Sequence, residues 1–205
     1  MAEISFGTLQ LSIAPTVYEP AEDSFLLATY ASGITEGKKI LEIGCGSGIV
    51  SLSAAAASPK NDVLGVDINP SAVECAKANA KRNGVGNAKF AQSNLFSAIA
   101  PPSQFDVILF NPPYLPTTRD EKLALERENA AYDGGESGLE TFMRFAKQAP
   151  SHLASSGKVA VIATSLNDGI KKTLAELDER IGHAQILAEE SFFFEKIALI
   201  EANKR

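Results

Sequence analysis

Two cysteines and two histidines in 205 residues remove several functions at the outset. Cys45 and Cys75 are too few for a disulfide framework and too far apart for a Cys-x-x-Cys clip, and His152 and His183 have no ligand partners at zinc spacing. No metal is expected. A small residue such as Cys45 inside a glycine loop, with no histidine beside it, reads as packing and not as a nucleophile. No run reaches the roughly 18 to 20 apolar residues of a membrane span, and Met1–Leu11 has no basic start, so neither insertion nor export is expected and the chain reads as cytoplasmic. Cationic surplus is missing as well. Nineteen Lys and Arg stand against 25 Asp and Glu, a net charge of −6, which argues against the phosphate neutralisation that nucleic-acid affinity needs. The densest basic groups, Lys81-Arg82, Lys171-Lys172 and Lys204-Arg205, sit near expected helix or chain ends, where solvation and dipole complementarity account for them.

What is present alternates. Apolar strand runs at Lys39–Ile43, Val63–Asp67, Lys89–Gln92, Phe105–Phe110 and Lys158–Ala163 are separated by helix-like segments at Ile49–Ala57, Ser71–Asn83, Glu136–His152 and Asn167–Ile181, with another helix at Ala21–Ser32. Such alternation predicts a parallel sheet with helices on both faces. Asn69-Pro70 supplies an N-cap and a first-turn proline for the helix that ends at Gly84. Gln185–Glu190 and Glu195–Ala202 read as two strands able to pair antiparallel at one side, with Phe192-Phe193-Phe194 between them as core or packed edge. At 45% hydrophobic content, residues 1–205 are expected to form one domain burying about 70% of the unfolded surface.

Two motifs carry chemistry. In Lys39-Ile40-Leu41-Glu42-Ile43-Gly44-Cys45-Gly46-Ser47-Gly48, a strand meets three alternate glycines before a helix, so a ligand can approach the strand end without meeting a Cβ. About twenty residues on, Asp67 ends a second strand, the spacing at which a carboxylate reaches ribose hydroxyls. The spacing is G-x-G-x-G and lacks the helix approach that seats a pyrophosphate, which points to an adenosine with a sulfonium tail. The second motif, Asn111-Pro112-Pro113-Tyr114, follows the strand Phe105–Phe110. Two prolines end the ladder, and an asparagine amide, a free carbonyl and an aromatic face then suit a flat, neutral, NH-bearing group; a plain proline stop is the alternative.

These residues together resemble a class I S-adenosylmethionine-dependent methyltransferase of the amino-group type. The segment Val17-Tyr18-Glu19-Pro20-Ala21-Glu22-Asp23-Ser24-Phe25-Leu26-Leu27 is similar to the entry motif of the short HemK-like glutamine methyltransferases of eukaryotes and archaea, which modify the Gly-Gly-Gln loop of translation release factors. The resemblance runs from about Tyr18 to Ala163 and includes the loop Ala131–Gly138. It implies a Rossmann-like α/β fold, a seven-stranded mostly parallel sheet with an antiparallel C-terminal strand pair, in which residues 1–35 cover the cofactor and 36–205 form the catalytic core. It implies S-adenosyl-L-methionine as cofactor and S-adenosyl-L-homocysteine as product. The cofactor residues it implies are Tyr18, Glu22, Ser24, Glu42, Gly44, Gly46, Gly48, Asp67, Ile68, Asn94, Leu95 and Asn111, with Asp67 on the ribose. Asn94 departs from the aspartate usual near the adenine amino group; its carbonyl can accept an N–H but brings no charge. Asn111, Pro112 and Tyr114 are the implied catalytic residues.

The implied chemistry is displacement of a methyl group from sulfonium by an amide nitrogen. That nitrogen is a poor nucleophile, so two acceptors, the Asn111 side-chain oxygen and the Pro112 carbonyl, would bind its N–H bonds and aim it, while Tyr114 packs on the flat amide. No general base is assigned, since the nitrogen's proton becomes acidic once the new bond forms. The resemblance further implies a release factor as substrate and a small zinc-binding activator subunit at a sheet edge, for which Lys89–Gln92 is the candidate strand. Two rivals stand beside this reading: an N-methyltransferase acting on exocyclic amino groups of adenine, cytosine or guanine, and a non-catalytic cofactor-binding scaffold.

Overall fold

The computed structural model describes residues 2–100, 104–114, 138–192 and 195–205. Its elements run β1 Ala2–Phe6, β2 Leu9–Ile13, α1 Glu22–Ser32, β3 Lys39–Ile43, α2 Ile49–Ala57, β4 Asp62–Asp67, α3 Pro70–Arg82, β5 Ala88–Gln92, β6 Phe105–Phe110, α4 Glu140–His152, β7 Leu153–Thr164, α5 Gly169–Arg180, β8 Ala184–Ser191 and β9 Lys196–Asn203. Seven strands form one sheet in the order β5-β4-β3-β6-β7-β9-β8, and β1 and β2 form a separate two-stranded ribbon. β3, β4, β5, β6 and β7 are mutually parallel, whereas β9 runs antiparallel to both β7 and β8. The expected mixed sheet is therefore present, and β5 is an edge strand, as is β8.

Strand alternation sorts side chains to two faces, and each face has its own core. Ile40, Val107 and Leu109 join α1, α2 and α3 through Leu27, Ala28, Leu52 and Ala76, while Leu41, Ile108 and Phe110 join α4 and α5 through Phe142, Phe145, Ala146 and Leu177. Leu41, Ile108 and Leu109 have no exposed surface, and burial of each contributes about 1.5–3 kcal/mol. Helices on both faces leave the C-terminal ends of β3, β4 and β6 as one open rim, where chain connections diverge and ligands bind in such sheets.

Several expectations shift. The ribbon Ala2–Ile13 was not anticipated; Leu9, Leu11 and Ile13 alternate onto its buried face and pack against the α2/α3 side of the core. α4 starts at Glu140, and the Asn167–Ile181 helix divides into a short 3₁₀ turn, Leu166–Asp168, and α5, because Asn167 and Asp168 have φ of 52° and 58° and break the helical path. β7 begins at Leu153, with a register shift between Phe105 and Val107. Phe192 is 44% exposed and so not a core residue, while Phe193, Phe194 and most of the loop Ala131–Gly138 lie outside the described residues. Among the described residues no helix is long and apolar enough to cross a membrane.

Candidate active site

The glycine loop closes the rim on one side. Gly44, Gly46 and Gly48 adopt φ of 69°, 53° and 85°, left-handed values that other residues reach only with strain, and this folds the chain back over the end of β3. The Asp67 carboxylate at the end of β4 holds the loop, accepting Gly46 N–H at 2.9 Å through Oδ2 and Asn69 N–H at 2.8 Å through Oδ1. Burial raises the Asp67 pKa, an effect these backbone donors and that of Ile68 only partly offset. Glu42 is 3% exposed and accepts both the N–H and the hydroxyl of Ser51. Burial pushes its carboxyl up to about 8 despite those bonds, with the neighbouring Asp67 adding to the rise. Burial likewise lifts the Cys45 thiol well above its usual range, which fits a packing role.

A cavity of about 290 Å³ lies between this loop and the end of β6. Of the residues expected at the site it is lined by Tyr18, Ser24, Glu42, Gly44, Gly46, Asp67, Ile68, Asn94, Leu95, Asn111, Pro112 and Tyr114. Two expected residues fall elsewhere. Glu22 is exposed at the first turn of α1, where the helical phase turns it out and its neighbour Asp23 in. Gly48 is a packing position, since a Cβ there would stand 3.0 Å from Ala76 Cβ. Asn94 is exposed and its Oδ1 receives Arg144 Nη2 at 3.0 Å, so the carbonyl expected to meet an adenine N–H already has one partner. Arg144, on α4, also lines the cavity and brings a positive charge there, opposite in sign to the aspartate that Asn94 replaces. Leu95, next in the chain, holds φ of 52°, a strained conformation for a branched side chain and one that tends to persist at ligand sites.

Asp23 is the residue that sequence reasoning missed. It is 4% exposed and accepts from four neighbours: Tyr18 Oη at 3.1 Å, Ser24 N at 2.6 Å, Asn111 Nδ2 at 3.0 Å and Tyr114 Oη at 3.1 Å. A carboxylate only accepts, so the Asn111 amide must present its NH₂ to Asp23 and leave Oδ1 on the other side. Oδ1 is buried and has no hydrogen-bond partner. An orphaned acceptor of this kind costs about 1–3 kcal/mol unless a donor reaches it, and an N–H of a bound group would supply one. Tyr114 is held the same way, its hydroxyl pKa raised by burial and by the Asp23 carboxylate. Both motifs expected to carry chemistry thus face one cavity, with the carboxyl groups of Asp67 and Asp23 in its wall and a free acceptor at one end. That lining suits a cationic, adenosine-bearing donor beside a planar amide.

The sequence profile described as the Methyltransferase small domain matches residues 23–128, from Asp23 through the Asn-Pro-Pro-Tyr motif. The chain belongs to the methyltransferase small domain family. This methyltransferase is 43% identical over 199 residues to a Methanocaldococcus jannaschii protein provisionally named a protein N5-glutamine methyltransferase, covering 97% of this chain and 98% of that one. It is 31% identical over 164 residues to the release factor glutamine methyltransferase of Vibrio cholerae, covering 77% of this chain and 57% of that one. The methyltransferase also superposes on the E. cuniculi Mtq2–Trm112 complex, responsible for methylation of the eRF1 translation termination factor, with a TM-score of 0.70, 25% identity and coverage of 93% of this chain and 99% of that one.

Proposed function

We propose that this methyltransferase uses S-adenosyl-L-methionine to methylate the side-chain amide nitrogen of a protein glutamine, that of the Gly-Gly-Gln loop of a translation release factor. The observation that carries the reading is the buried, unpartnered Oδ1 of Asn111, oriented by Asp23. Bound in the cavity, the cofactor supplies a methyl group activated by a positive sulfur. In this reading Asp67 takes the ribose hydroxyls, with Ile68, Leu95 and Asn94 at the adenine end and Ser24 and Glu42 toward the methionine end, and their shared place in the cavity lining supports it.

The chain's own contribution is orientation. An amide nitrogen shares its lone pair with its carbonyl, so it must be held with both N–H bonds engaged and its face open. Asn111 Oδ1 takes one N–H. The carbonyl of Pro112, a buried residue, takes the other, and the prolines at 112 and 113 present no N–H that would compete for either acceptor. The Tyr114 ring lies against the flat group and keeps water out, its hydroxyl anchored on Asp23. When the nitrogen gains its new bond to carbon it loses one proton, which passes to solvent.

The single-domain organisation, the cytoplasmic setting and a small activator subunit belong to the same reading. Support for the subunit comes from the partnered E. cuniculi protein and from the open edge at β5. Transfer of labelled methyl from S-adenosylmethionine to a Gly-Gly-Gln loop protein tests the function, with bulk nucleic acid as the competing acceptor. Asn111→Ala should lower transfer by about 10²–10³-fold and leave cofactor affinity within about threefold. Label appearing in nucleic acid and not in the protein would overturn the reading.

A further inference from the structure

The glycine loop is braced from behind. The outer edge of β2 meets α3 where no strand is present, and α3 supplies side-chain amides in place of one. Asn83 Oδ1 accepts Gln10 N–H at 2.8 Å while its Nδ2 donates to Gln10 O at 2.9 Å. One turn earlier, Asn79 Oδ1 accepts Ser12 N–H at 2.9 Å while its Nδ2 donates to Ser12 O at 3.2 Å. Four helical residues rise about 6 Å and two strand residues about 6.8 Å, so asparagines at i and i+4 fall in step with alternate residues of β2. A third asparagine, the α3 N-cap Asn69, donates to Thr16 O at 2.9 Å and takes its own N–H bond to Asp67.

Beyond the ladder the two asparagines differ, and Asn79 Nδ2 also lies 3.7 Å from Cys75 Sγ, one turn earlier in α3. Asn83 Nδ2 also bonds Asn79 O within its own helix, whereas Asn79 Nδ2 also bonds Ser47 O at 2.9 Å. Ser47 sits between Gly46 and Gly48, its hydroxyl is buried without a partner, and it lines the cavity. Asn79 itself is 1% exposed and touches neither the cavity nor the acceptor clamp.

We infer that Asn79 is a positioning residue for the cofactor, whose one amide couples the docking of the β1–β2 ribbon to the shape of the glycine loop. The inference rests on the proposed use of S-adenosylmethionine. It assigns the ribbon a role at the site although the ribbon contributes no residue to it. Removing the amide frees Ser47 O and loosens the loop, so cofactor binding weakens while the acceptor clamp at Asn111 stays intact. Linkage makes the effect reciprocal: if the docked ribbon strengthens binding, binding must strengthen docking.

The test measures S-adenosylmethionine affinity by calorimetry in wild type, Asn79→Ala, Asn79→Asp and Asn83→Ala, alongside amide exchange in the wild type. Asn79→Ala should weaken affinity by about 5–30-fold with kcat at saturating cofactor within about twofold. Asn79→Asp keeps the acceptor for Ser12 N–H but loses the donors to Ser12 O and Ser47 O, and should weaken it as much. Asn83→Ala, which loosens the ribbon without touching the loop, should also weaken affinity, but by less than Asn79→Ala, because it leaves the bond to Ser47 O in place. In the unmutated protein, saturating cofactor should slow exchange at the Ser12 amide by more than at amides of β8. Unchanged affinity in both Asn79 variants, or no excess protection at Ser12, overturns the inference. A wild-type protein that binds no S-adenosylmethionine overturns the functional reading instead.

Discussion

At the scale of single residues, Asp23 decides how the site is set. It holds Tyr18, Tyr114 and Asn111 through acceptor contacts alone, so a residue that can also donate removes the constraint on which end of the Asn111 amide faces the acceptor. Asp23→Asn should therefore lower kcat by about 10–100-fold, seen in single-turnover methyl transfer, with the circular dichroism spectrum unchanged. Glu42 carries a pH signature. Its folded pKa of about 8 lies above the ordinary carboxylate value, so the native state binds the proton more tightly than the unfolded chain does. Its contribution to stability is complete below about pH 4.5 and is lost as pH rises through about 8, and the raised Asp67 acts in the same direction. Glu42→Gln should flatten the decline in melting temperature between pH 5 and 8 in cofactor-free protein, measured by scanning calorimetry. The cavity-lining residues were legible in sequence where neighbours define them: Gly44, Asp67 and Asn111 announce themselves by strand, turn and proline. Asp23 was not, because Glu22 and Asp23 are equivalent carboxylates until the phase of α1 is known.

Among the elements, α1 links the site to the far half of the sheet. Its first turn carries Asp23, and toward its other end Tyr30 donates to Glu201 of β9 at 2.6 Å, where Lys158 of β7 also binds at 2.8 Å and lies over the Tyr30 ring at 5.3 Å. Burial would raise the Glu201 pKa, but the bonds from Lys158 and Tyr30 outweigh it and hold the carboxyl below its usual value. That contribution is present above the unfolded pKa and fades as pH falls through the folded one, opposite in sign to Glu42. Tyr30→Phe removes a hydrogen bond to a charged group and should cost about 1.5–3 kcal/mol, read as a lower urea midpoint at unchanged slope. The strands β3, β4, β6 and β7 followed from their apolar runs because they lie inside the sheet with side chains buried on both faces, whereas edge strand β5 buries only Phe90. The ribbon was overlooked although Leu9-Gln10-Leu11-Ser12-Ile13 alternates after a Gly7-Thr8 turn; its stability comes from α3, some seventy residues away, and local pattern carries no sign of that partner.

Over the whole molecule, the sheet order has a consequence for assembly. β8 is synthesised before β9, yet it meets the rest of the sheet only through β9, which pairs with β7 on one side and β8 on the other. A truncation that removes β9 therefore strips away two strands at once, and with them the Glu201 anchor of α1. On a translating ribosome β8 has no berth until its successor emerges, and the helix that orients the acceptor clamp gains its last tether only then.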